Sequence, residues 1–174
     1  MLTFQKGRLR TKKNPQEKHY AFSEHPRFNE EKGKIQADDS VQQGCLQILH
    51  VDDDISFLKV SQTILELENG FKVETATSVD EAFCKLKTQA YDAVICDYRM
   101  PIKNGLDFLK ELREQKNYVA FIIFTGKGTE EAVIRALNLG ADYYVDKNGS
   151  PEAVYCELAD AVRMTVARRK KRAR

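Results

Sequence analysis

No stretch of about eighteen consecutive apolar residues, the length that crosses a bilayer, occurs anywhere in the chain. The N-terminus is basic but lacks the apolar segment a secretory leader needs. Together these absences set the expectation of a soluble, cytoplasmic protein with no membrane partner. Cysteine is scarce and scattered: Cys45, Cys84, Cys96 and Cys156 include no CxxC pair. That spacing argues against a zinc cluster or a disulfide framework and leaves reduced, mostly buried thiols. An excess of charge is missing too. The 28 Lys and Arg against 26 Asp and Glu give a net +2, too mild for a dedicated nucleic-acid binder, which presents a strongly basic face.

What is present changes texture along the chain. With 174 residues, one domain with tails is the default. Residues 1–45 are polar, with Lys6, Arg8, Arg10, Lys12 and Lys13 and no sustained apolar periodicity. Such a stretch buries too little surface to offset chain entropy, so it reads as a disordered arm. From 46 to 168, short β-rich segments alternate with amphipathic helical ones, and 169–174 reads as a basic C-terminal tail. Strands are predicted at 47–52, 71–76, 92–97, 119–125 and 142–146. Helical spacing of apolar residues separates them, as in Phe57, Val60, Ile64 and Leu67. The near-continuous apolar runs at 92–96 and 120–124 suit parallel strands covered on both faces. Strict alternation with right-handed crossovers gives an α/β, doubly wound five-stranded parallel sheet with five helices. Ser78 with Glu81, and Thr125 or Thr129 ahead of acidic residues, carry helix-start signals.

In such a sheet, ligands gather at the carboxyl ends of the strands. There the sequence places Asp52, Asp53 and Asp54, then Asp97, then Thr125, then Lys147. An acidic run alone reads as a solvated loop or helix cap. Gathered with Asp97, however, several carboxylates repel one another unless a cation sits among them, and an all-oxygen donor set favours Mg2+ or Mn2+. One carboxylate can then attack a phosphoryl donor while Thr125 and Lys147 neutralise the phosphoryl oxygens.

These residues, ILHVDDD, VICDYRMP followed by NG, FTG and GADYYVDK, resemble the receiver (CheY-like) domain of two-component response regulators. The resemblance implies a flavodoxin-like strand order 2-1-3-4-5 and a phosphoacceptor that signals without being an enzyme in the usual sense. By position, Asp97 matches the phosphoacceptor. Asp52, Asp53, Asp97 and the backbone carbonyl of Arg99 match the Mg2+ ligands, Thr125 the switch hydroxyl, Lys147 the phosphoryl-pairing lysine, and Tyr144 the aromatic that changes rotamer. Asp54 is left as a helix cap. The implied partners are a sensor histidine kinase or histidine phosphotransfer protein, and a downstream protein on the face built by the fourth helix, fifth strand and fifth helix. Asn148 and Gly149 depart from the pattern, standing where many receivers have proline; they are expected to form a tight turn that still presents Lys147. Arg99 and Lys127, two residues beyond Asp97 and Thr125, are expected to modulate the phosphorylated state by shielding the acyl phosphate from water.

Two other readings stay open. A receiver-like module could signal without phosphate, and the two basic tails, the N-terminal arm and the run from Arg168 onward, could touch nucleic acid, although the latter also suits a helix C-terminus. His50 reads as a satisfied core histidine and Cys96 as core on the strand face opposite Asp97.

Overall fold

The computed structural model describes residues 45–126 and 128–172. The expectations placed on 1–44, on Lys127 and on the last two residues lie outside them. Ten elements alternate along the chain: β1 (Gln47–Val51), α1 (Ile55–Asn69), β2 (Lys72–Ala76), α2 (Val79–Thr88), β3 (Ala93–Cys96), α3 (Gly105–Glu114), β4 (Ala120–Thr125), α4 (Glu130–Asn138), β5 (Tyr143–Asp146) and α5 (Pro151–Arg172). The strands pair in parallel in the order β2-β1-β3-β4-β5. This is the doubly wound, flavodoxin-like sheet read from the sequence, and every strand boundary falls within one residue of its predicted place.

Every residue of β3 and β4 is buried, and alternation divides their side chains between two cores. Ile48, Ile95, Ile122 and Phe124 meet Leu65 of α1 and Leu158 and Val162 of α5 on one face. Leu49, Val94, Phe121 and Ile123 meet Ala82, Phe108, Leu112 and Ala136 of α2 to α4 on the other. Cys96 joins the second core, as expected. The other three cysteines do not follow the sequence reading: Cys45, Cys84 and Cys156 are exposed. Their helical or terminal positions lie outside the apolar stripes, and a free thiol is too weakly apolar to impose burial by itself.

Local signals fix the helix starts. Asp54 caps α1 by accepting from the Ser56 and Phe57 amides at 2.9 and 3.0 Å. Ser78 caps α2, but Glu81 reaches back to the amide of Thr77 at 2.7 Å, one residue upstream of a regular capping box. Of the two threonines considered ahead of α4, Thr129 is the cap, accepting from the Ala132 amide. At the other end α5 runs on through Arg172, so residues 169–172 are its last turn. Arg169 pairs with Asp142 at 2.7 Å and Lys170 with Asp92 at 3.2 Å. These two basic side chains therefore tie the helix end to the strand-start side of the domain.

Candidate functional site

Parallel strands bring all five carboxyl ends to one edge, and the strand order reverses between β1 and β3, where the edge opens. Asp52 follows β1 directly and Asp97 follows β3. Neither acid hangs on a loose loop. The Asp52 amide donates to the Ala76 carbonyl at 3.1 Å and the Asp97 amide to the Val51 carbonyl at 2.9 Å, so both backbones are pinned into the sheet ladder.

Their side chains meet at one cation. The Lys147 ammonium donates to Asp52 Oδ2 at 2.6 Å and to Asp97 Oδ1 at 2.7 Å. Asp52 is 3% exposed and Asp97 7%, so two carboxylates share a site where water screens them little. The other oxygen of each is also occupied: Asp52 Oδ1 accepts from the Asp54 amide at 2.9 Å and Asp97 Oδ2 from the Arg99 amide. Burial is the largest influence on Asp52 and raises its pKa, with the Lys147 hydrogen bond opposing. For Lys147, burial is the largest single effect and acts downward. The hydrogen bonds and charges of Asp52 and Asp97 together outweigh it and leave the ammonium with a raised pKa. The site therefore holds a protonated lysine against paired acids.

The remaining residues named from the sequence fall around this centre. Thr125 ends β4 fully buried, and its carbonyl accepts from the Lys147 amide at 3.1 Å. Tyr144 of β5 is half-buried, and its hydroxyl lies so close over Gly128 that a Cβ there would displace the ring. Burial first, then the charges of Asp146 and Asp97, raise its pKa. Asp53 and Arg99 are exposed. Among the described residues no three His, Cys, Asp or Glu side chains stand close enough together to hold an ion; the Lys147 ammonium bridges the two buried carboxylates, and Asp53 is exposed. The donor set nevertheless suits a hard divalent cation: two buried carboxylates on adjacent strand ends, a third on the next residue, and oxygen donors only.

Three features escaped the sequence reading. Gly105 is the first residue of α3, and a Cβ on it would overlap the Asp97 backbone carbonyl and lie 3.3 Å from Cys96 Sγ. The Asn104 cap with its reciprocal Asp107 bond holds that helix end in place. The only advance signal was the Asn-Gly pair itself. Asn148 does more than turn the chain: its side chain donates to the Gly126 carbonyl at 3.1 Å, joining the loops that follow β4 and β5. Lys147 is presented to the acids as expected.

His50 departs from expectation. It is wholly buried, and its Nδ1 lies 3.1 Å from Ser61 Oγ, but Nε2 has no hydrogen-bond partner among the described residues. Burial, then repulsion from Lys147, lowers its pKa to about 3. Its ordinary value is near 6.5, so between these values the unfolded chain binds a proton that the folded chain refuses. Stability due to this group is complete above the ordinary value and is lost as pH falls through the window, by up to about 1.4 kcal/mol per pH unit. In urea unfolding, the wild type is expected to lose about 1 kcal/mol more than His50→Phe between roughly pH 7 and pH 5.5. Equal losses in both proteins would refute the neutral buried histidine.

Comparison with known proteins adds three kinds of match. Residues 48–159 fit the family model described as the response regulator receiver domain. The response regulator SaeR of Staphylococcus aureus (strain USA300) is 40% identical over 111 residues, covering 64% of this chain and 48% of SaeR. The chain thus spans about half the length of that relative. The Francisella response regulator 1452 receiver domain shares 31% identity and a TM-score of 0.64 over 71% of this chain and 98% of its own. Vibrio cholerae chemotaxis protein CheY4 shares 28% and 0.61 over 67% and 98%, and a receiver domain protein from Methanospirillum hungatei JF-1 shares 27% and 0.62 over 70% and 96%.

Proposed function

The chain belongs to the response regulator receiver domain family of two-component systems, and from that premise we propose that it accepts a phosphoryl group on Asp97. The observation that carries the proposal is the single Lys147 ammonium bridging Asp52 and Asp97 at the switch point of the sheet.

A carboxylate oxygen of Asp97 attacks the phosphorus of a phosphohistidine on a sensor kinase or phosphotransfer protein. The P–N bond breaks, the imidazole nitrogen keeps the electron pair, and an acyl phosphate forms. The Arg99 amide fixes one Asp97 oxygen, leaving the orientation of the carboxylate set before the donor arrives. Lys147 follows the negative charge from carboxylate to phosphoryl oxygen, and the Thr125 hydroxyl supplies a further donor at the adjacent strand end. Asp52, Asp53, Asp97 and the Arg99 carbonyl would hold Mg2+ or Mn2+, which when bound neutralises phosphoryl charge. Thr125 and Tyr144 carry the change to α4, β5 and α5, where Ile134, Leu137 and Met164 are exposed apolar residues open to a downstream protein. Among the described residues no helix is long and apolar enough to cross a membrane, and we place the reaction in the cytoplasm.

The test is intact mass after incubation with acetyl phosphate and Mg2+. The wild type is expected to gain one phosphoryl group, about 80 Da, and Asp97→Asn to gain nothing while unfolding normally in urea. No gain in the wild type would favour a module that signals without phosphate. The same preparation measures the lifetime of the acyl phosphate. We expect Arg99→Ala combined with Lys127→Ala to shorten it several-fold, by opening the path of water to the acyl carbon and phosphorus. An unchanged lifetime would remove the shielding role.

A further inference from the structure

The Lys147 ammonium has aromatic as well as acidic neighbours. Its Nζ lies 4.3 Å from the centroid of the Phe57 ring and 5.4 Å from that of Phe124. The two rings are 5.8 Å apart, and His50 and Tyr155 extend the cluster into the core between α1, β1, β4 and α5. Phe57 belongs to the first turn of α1, and its amide is held by the Asp54 cap directly after the acidic pair. Phe124 immediately precedes Thr125. The chain segments that carry the acids and the buried hydroxyl therefore also carry the rings.

A lysine side chain is a point charge on a flexible four-carbon stem, and Lys147 retains 19% side-chain exposure. Its two short ion pairs fix which oxygens it touches but leave its flank open to drift toward water. An aromatic face attracts a cation through the ring quadrupole yet accepts no conventional N–H···O bond. It can hold the ammonium in place without competing for the donors that oxygen acceptors must receive. A carboxylate or carbonyl in the same position would compete for them.

We propose that Phe57, backed by Phe124, is a positioning residue that confines the Lys147 ammonium beside Asp52 and Asp97 by a cation–π contact and keeps its N–H donors available to incoming phosphoryl oxygens. This rests on the phosphoacceptor reading above. Core packing alone would account for two apolar rings in these places, so the test must change ring electrons while keeping ring shape.

Phenylalanine at 57 is replaced in the full-length chain by mono-, di- and trifluorinated phenylalanine, which weakens the ring quadrupole stepwise at nearly constant volume. Phosphorylation by acetyl phosphate at saturating Mg2+ is followed by intact mass. The rate is expected to fall with each fluorine, reaching about three- to tenfold at the trifluoro ring, with Phe57→Leu at least as slow and Phe57→Trp near wild type. A flat series in a protein that does take phosphate overturns the proposal. The second readout does not need phosphorylation: the Lys147 ammonium protons, observed by NMR, should carry a ring-current shift that disappears in Phe57→Leu. If the wild type takes no phosphate, the function proposed above fails, and this shift alone then decides the contact: its loss in Phe57→Leu supports it and its persistence overturns it.

Discussion

Gly105→Ala is expected to slow phosphoryl uptake at Asp97 by about two orders of magnitude while leaving a protein that still folds. The added methyl would overlap the Asp97 carbonyl oxygen, and no rotamer change can relieve a clash between two backbone-fixed atoms. Either α3 withdraws from the end of β3 or the peptide that carries Asp97 tilts. Withdrawal is resisted by the Asn104 cap and by the Gly105 amide, which donates to the Tyr98 carbonyl at 3.0 Å. It is also resisted by Leu106, Phe108, Leu109 and Leu112 in the core beneath. Overpacking of this kind costs about 1–3 kcal/mol, of which alanine's better helix propensity returns roughly 0.5–1 kcal/mol. The stability loss is therefore modest. The expected functional loss is larger because the displaced atom belongs to Asp97, which the proposed reaction aligns with the donor phosphorus. Urea unfolding and the rate of acetyl phosphate labelling, measured on the same preparation, separate the two effects. Wild-type labelling in a variant destabilised by the expected amount would show that α3, and not Asp97, gives way.

The same comparison shows where the sequence was legible. Alternating apolar runs and helical stripes placed all ten elements, because burial on both faces of a parallel sheet leaves a simple periodic trace. Asp52, Asp97, Thr125 and Lys147 were legible for a related reason: in this topology a polar residue directly after an apolar strand lies at the ligand edge. Contacts that join distant segments left no such trace. Nothing local to Phe57 or Phe124 announces Lys147, and nothing local to His50 reveals that only one ring nitrogen finds a partner. Ile102 is a sharper case. It adopts φ 68 with its side chain 99% exposed, a conformation β-branched residues avoid. The loop around it is set by its anchors, with Lys103 paired to Asp80 and Glu111 and Gly105 wedged against Asp97. Tertiary constraint overrides the residue's own preference.

Lys147→Met should have the largest effect of all, and in opposite directions for two properties. Methionine keeps an unbranched stem of similar length and removes the charge, so Asp52 and Asp97 face each other with no counter-cation. Stranding a buried charge costs about 3–5 kcal/mol when the partner is lost; the partial exposure of Lys147 places the expected loss at the lower end, about 2–3 kcal/mol in EDTA. Asp52 already has a raised pKa with lysine present, and removing the ammonium pushes it further up. A carboxyl whose pKa is raised on folding binds its proton better folded than unfolded, so the metal-free variant should regain stability as pH falls through that folded value. A divalent cation supplies the missing charge more effectively. In the wild type it must share the acids with an ammonium 2.6 and 2.7 Å away, whereas in the variant it meets no competitor. Mg2+ should therefore bind about tenfold more tightly, stabilising Lys147→Met by up to roughly 1.4 kcal/mol more than the wild type, the full difference appearing at Mg2+ concentrations well above the wild-type Kd. Phosphoryl uptake should nevertheless fall by about 10²-fold or more, since a donor aimed at developing phosphoryl charge is gone. Tighter metal with slower transfer would separate the two roles proposed for the acidic edge, holding a cation and serving as nucleophile. Equal Mg2+ increments in the two proteins would mean that lysine and metal do not compete for Asp52 and Asp97, and the metal ligands would then have to be sought elsewhere along that edge.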